Sequence, residues 1–82
     1  MNQDAGVGPM IELIVKAFVD NPESVVVTQG SRSSGVVVEL QVDPVDLGRV
    51  IGRQGRTARA LRSLVALAGE KVHQRAMLQI LE

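Results

Sequence analysis

Two glycines three residues apart, Gly52 and Gly55, constrain this chain more than any other feature. They interrupt a stretch from Pro44 to Ala68 that otherwise has helical spacing, leaving Gly52-Arg53-Gln54-Gly55 as a four-residue break between two helices. Asp43 can cap the first of these, Pro44 suits its first position, and Asp46 favours the positive end of its dipole. The second is expected from Arg56 to Ala68, with Ala58, Leu61, Leu64, Val65 and Ala68 facing the core and Gly69 as its stop.

The flanking segments alternate differently. Val25–Thr28 is β-branched throughout, and Val36, Val38, Leu40 and Val42 point to one side of a strand with Glu39 and Gln41 on the other. The polar segment 29–35 between them reads as a loop, giving an antiparallel hairpin. Arg75–Leu81 is a further strand, with Ala76, Leu78 and Ile80 alternating. Ahead of the hairpin, Met10, Ile11, Ile14, Val15 and Phe18 recur at helical spacing after Pro9, and Asn21-Pro22 ends that helix. Leu13, Ala17 and Val19 widen its apolar face, which implies deep burial or a second contact such as a dimer. Residues 1–8 are expected to be a disordered tail and 9–82 a single domain. A strand–helix–helix–strand crossover of this length favours parallel pairing. The expected fold is α+β, order α-β-β-α-α-β: a three-stranded mixed sheet with the helices packed on one face.

Composition removes several function classes. Among 82 residues there is no Cys and one His, so disulfides, thiolate zinc sites, thiol catalysis and a His-rich metal site are all out of reach. Phe18 is the only aromatic, which argues against surfaces that stack bases on aromatic rings. No apolar run approaches the length of a membrane span and no signal peptide is evident, so a cytoplasmic location is expected. No cofactor is expected. Ser31, Ser33 and Ser34 fit turn chemistry, Met10 and Met77 core filling, and Asp43 with Asp46 helix capping rather than acid–base catalysis.

The charge is balanced overall, nine basic against nine acidic, but segregated. Residues 1–48 hold two basic and seven acidic side chains; residues 49–82 hold seven basic and two acidic. Arg49, Arg53, Arg56, Arg59 and Arg62 fall within fourteen residues with no acid among them. Either these meet carboxylates from elsewhere in the fold, or they form an anion site, for which Arg suits phosphate best. The break supports the second reading. Gly admits positive φ and close approach, and the helix beginning at Arg56 presents free N–H groups there. The dinucleotide fingerprint does not fit the glycine spacing, and no Lys follows as a P-loop requires.

Val50-Ile51-Gly52-Arg53-Gln54-Gly55-Arg56 resembles the signature of KH domains, in which a GxxG loop clamps about four nucleotides of single-stranded nucleic acid. The element order resembles the type II KH arrangement. With Asp20-Asn21-Pro22, the VVVELQV strand and Asp43-Pro44, the likeness extends over about residues 9–82 to the small bacterial single-KH proteins of the KhpA family. It implies that Gly52 and Gly55 admit the phosphate backbone, that Arg53 and Gln54 are the central loop contacts, and that Val50 and Ile51 build the apolar side of the groove. Arg49, Arg56 and Arg59 join the site by charge. The resemblance further implies single-stranded RNA as ligand, and as protein partner a homodimer or a KhpB/Jag/EloR-type KH protein. It also implies roles in post-transcriptional control with links to cell elongation and division. His73 reads as solvent-exposed, with contact at the groove's far wall as the alternative. The competing function is a protein-assembly module with little RNA affinity; an enzyme is the weakest reading.

Overall fold

The computed structural model describes residues 6–82. Its elements run α1 (Val7–Lys16), β1 (Val26–Arg32), β2 (Gly35–Gln41), α2 (Pro44–Ile51), α3 (Arg56–Lys71) and β3 (Ala76–Ile80). β2 lies between the other two strands, antiparallel to β1 and parallel to β3. The expected α-β-β-α-α-β order and mixed sheet are therefore present.

Side-chain alternation explains the layering. Val36, Val38 and Leu40 of β2 and Ala76 and Leu78 of β3 turn inward and are buried. They meet Ile11 and Val15 of α1, Val50 of α2, and Leu61 and Val65 of α3 in one core. Met77 falls on the opposite register of β3, so it is on the open face and 45% exposed, not core filler as its residue type suggested. Leu64 likewise leaves the core face of α3 and is 40% exposed.

Four boundaries differ from expectation, three of them because tertiary contact overrides composition. The first helix begins at Val7, inside the segment expected to be a tail: Val7 is buried, and Gly8 N–H donates to Gln29 Oε1 at 2.9 Å. Residues 1–5 lie outside the described residues. That helix also ends at Lys16, before Phe18. β1 runs on through Gln29 to Arg32 because β2 supplies a ladder partner for each residue, from Gln29↔Val38 to Arg32↔Gly35. The expected loop shrinks to the two-residue turn Ser33-Ser34. α3 continues through Gly69 to Lys71. Gly69 is a packing residue instead of a stop: a Cβ there would lie 2.5 Å from Gln74 O and 2.7 Å from Ala76 Cβ. Only glycine lets α3 come this close to the start of β3.

Candidate nucleic-acid interface

The Gly-rich break forms a compact turn. α2 closes with Gly52 N–H on Gly48 O at 2.8 Å, and Gly55 N–H then reaches back to Gly52 O at 3.1 Å. Gly52 (φ 78°, ψ 170°) adopts a conformation essentially restricted to glycine. Gln54 (φ 57°, ψ 25°) and Gly55 (φ 73°, ψ 16°) follow in left-handed geometry, so the chain reverses within four residues. Gln54 is a non-glycine residue held there, and its Oε1 accepts a hydrogen bond from Arg56 Nη2 at 3.1 Å. Gly55 occupies the cap position of α3 and no side chain caps that helix. The first-turn N–H groups of α3 consequently face the loop without a side-chain acceptor.

The arginines divide into two groups. Arg49 is engaged: its Nη1 lies 3.2 Å from both Phe18 O and Asp20 Oδ1, tying α2 to the segment that follows α1. The expectation that these arginines meet carboxylates from elsewhere in the fold thus holds for Arg49, which is a structural contact first. Arg53, Arg56, Arg59 and Arg62 are exposed and form no ion pair among the described residues. Arg53 projects from the loop, and Arg56 and Arg59 follow along the first turns of α3.

The apolar residues also separate. Ile51 is half-buried beside the loop, whereas Val50 is fully buried in the core. The assignment of Val50 to a groove wall is corrected: α2 turns its Val50 face inward, so Val50 anchors the helix from beneath and is inaccessible to a ligand. A cavity of about 220 Å³ between α2 and the ends of β2 and β3 supplies apolar surface not recognised from sequence, through Val42, Pro44, Leu47 and Leu81. Leu47 was readable as apolar, but its pairing with Leu81 depends on the parallel β2–β3 crossover.

Asp43 caps α2 as expected, its Oδ1 accepting from Val45 N–H at 3.0 Å. Asp46 does something its position did not reveal. It is 1% exposed, and its carboxylate accepts from Asp20 N–H at 3.1 Å, Asn21 N–H at 3.0 Å and Asn21 Nδ2 at 3.2 Å. Burial alone pushes its pKa up. These hydrogen bonds and the charge of Arg49 outweigh that, holding the carboxyl below the ordinary aspartate value. The loop-bearing helix is thereby tied at Asp46 and Arg49 to the segment that follows α1. Among the described residues no group of carboxylates and His is arranged to hold a metal ion, and no helix is long and apolar enough to cross a membrane.

A family description, "KhpA/KhpB, KH domain", matches residues 9–80. The chain belongs to the KhpA/KhpB family of KH-domain proteins. It is similar to the RNA-binding protein KhpA of Aquifex aeolicus, 49% identical over 73 residues, covering 89% of this chain and 92% of the relative. It is also similar to KhpA of Caldanaerobacter subterraneus subsp. tengcongensis, 42% identical over 74 residues, 90% of this chain and 99% of the relative. KhpA of Listeria monocytogenes (serovar 1/2a) is 44% identical over 73 residues, 89% and 96% of the two chains. A crystal structure of an Aquifex aeolicus Era variant shares the fold, with a TM-score of 0.69 at 12% identity over 98% of this chain and 31% of that one. The KhpA/KhpB family is not a family of enzymes.

Proposed function

We propose that this KH domain binds single-stranded RNA, with the Gly52–Gly55 loop gripping the sugar-phosphate backbone. The observation that carries this reading is the set of cations left unpaired around the loop: Arg53, Arg56 and Arg59 face no carboxylate among the described residues, beside an uncapped helix N-terminus. Phosphate oxygens would satisfy both the guanidinium groups and the free N–H groups. The names of the relatives point to the same ligand class. In this reading Gly52 and Gly55 admit the backbone, Arg53 and Gln54 contact it, and Ile51 with the Leu47–Leu81 cavity gives the bases an apolar wall. The lack of aromatic side chains makes stacking weak and sequence preference loose. The protein would act in post-transcriptional control in the cytoplasm, with links to cell elongation and division.

A second reading, assembly with another KH protein of the KhpB/Jag/EloR type or with its own copy, draws on a different surface. An apolar groove of about 390 Å³ between α1 and α3 is lined by Val7, Met10, Leu64, Leu67, Ala68 and Val72. It lies on other side chains than the loop, so both activities are compatible, and pairing would double the phosphate contacts.

The test is an Arg53→Asp/Gln54→Asp double variant. Asp tolerates left-handed backbone at position 54, and both side chains are exposed, so circular dichroism should stay native. Loss of anisotropy response to short unstructured RNA is the expected result. Equal binding by variant and wild type would move RNA to another surface. No binding by either, with a stable complex in light scattering, would favour assembly.

A further inference from the structure

At the pole opposite the Gly52–Gly55 loop, the geometry points to a second phosphate-binding site, formed by Arg32 and Arg75 around the Ser33-Ser34 turn. It rests on the RNA reading for its ligand but not for its geometry.

A cavity of about 310 Å³ is lined there by Ser31, Arg32, Ser33, Ser34, His73 and Arg75, from two separate segments. Arg32 comes from the hairpin and Arg75 from the connection into β3. Neither has an ion-pair partner among the described residues. Two guanidinium groups lining one cavity repel each other until an anion joins them, and serine hydroxyls and an imidazole are further donors to phosphate oxygens. Two carboxylates line adjoining cavities, Glu70 one of about 480 Å³ that shares His73 and Arg75, and Glu39 one of about 140 Å³ that shares Arg32; neither lines the cavity that holds both arginines.

Two carbonyls in the last turn of α3 already have backbone donors: Gly69 O receives Val72 N–H and Gln74 N–H, and Glu70 O receives His73 N–H. The two lining segments are also locked together. Val36 N–H donates to Arg75 O at 2.7 Å, and a Cβ on Gly35 would run into that same carbonyl. His73 is held at φ 60° between the capped carbonyl and the strand. The backbone that carries the donors is therefore preorganised.

α3 separates this cavity from the GxxG loop. Its 16 residues span on the order of 24 Å. A tetranucleotide seated on the loop would leave the second site empty, whereas a longer strand could place a phosphodiester there.

The test uses the full chain, with a tetranucleotide and an unstructured RNA of about twelve nucleotides. The Arg32→Gln/Arg75→Gln variant should bind the tetranucleotide like wild type. It should bind the longer RNA roughly tenfold more weakly, with a salt slope shallower by about 0.7. An Arg32→Lys/Arg75→Lys variant should recover most of the loss, which separates charge from folding defects. Inorganic phosphate should move the amide NMR signals of Ser33, Ser34 and His73 in wild type and not in the Gln variant. Phosphate shifts without an RNA-length effect would support the anion site and assign it to free phosphate. Phosphate shifts with no RNA binding by either protein would support the site while defeating the RNA reading. Unchanged longer-RNA binding together with unmoved amides would overturn the proposal.

Discussion

A Cβ on Gly52 would run into Thr57 Oγ1 and lie 2.8 Å from Thr57 Cβ, so the loop and the first turn of α3 interlock at these two residues. Gly55, also at positive φ, has open space where its Cβ would be. The two glycines of the motif are thus unequal. Gly52→Ala meets both the backbone restriction and a collision, and should destabilise by at least ~2 kcal/mol. Gly55→Ala meets only the left-handed penalty, about 1 kcal/mol. Urea unfolding of both variants checks the order; equal losses would mean that Thr57 yields without cost.

The pairing of Arg49 with Asp20 separates it from the other cations of its cluster. Arg53→Gln should weaken RNA binding more than Arg49→Gln, because Arg49 must first leave Phe18 O and Asp20. If three or four phosphates are neutralised, raising salt from about 50 to 200 mM should weaken wild-type binding roughly 20- to 50-fold. Each of Arg53, Arg56 and Arg59 that contacts a phosphate should lower the slope by about 0.7 when replaced by Gln. Anisotropy titrations at several salt concentrations read this directly, and a flat response would remove the arginine model.

Gly69 reverses the usual effect of a helical glycine. Replacement by Ala in a helix interior ordinarily stabilises by about 0.8–1 kcal/mol. Here the added methyl would meet Gln74 O and Ala76 Cβ at 2.5 and 2.7 Å. Gly69→Ala should instead destabilise by about 1–3 kcal/mol, measurable as a lower urea midpoint with an unchanged slope.

These positions also mark what the sequence could and could not convey. Local chemistry was legible: the alternation in Val36–Val42, the Asp43 cap, the break at Gly52–Gly55, and from these the parallel crossover and the loop. Long-range contact was not. β1 extends through polar residues because β2 offers a ladder, and α3 passes Gly69 because β3 packs against it. Val50 and Ile51 are adjacent and both apolar, yet α2 buries one and leaves the other half-buried at the site. Arg49 and Arg53 look alike in the chain; Asp20, far away in sequence, separates them.

Asp46 shows the same dependence and has a pH consequence. Its acceptors hold the two N–H groups that follow α1, so folding favours the charged form. Its pKa is lowered in the folded protein, so the unfolded chain binds the proton more tightly. The contribution to stability is therefore complete above the unfolded aspartate pKa, about 3.9, and fades as pH falls through the lower folded value. Asp46→Asn retains one acceptor and loses the charge. At pH 7 its midpoint should fall by roughly 5–10 °C, and the gap from wild type should narrow below about pH 4. Thermal melts at pH 7 and pH 3 measure both. A gap independent of pH would assign the role of Asp46 to shape rather than to its charge.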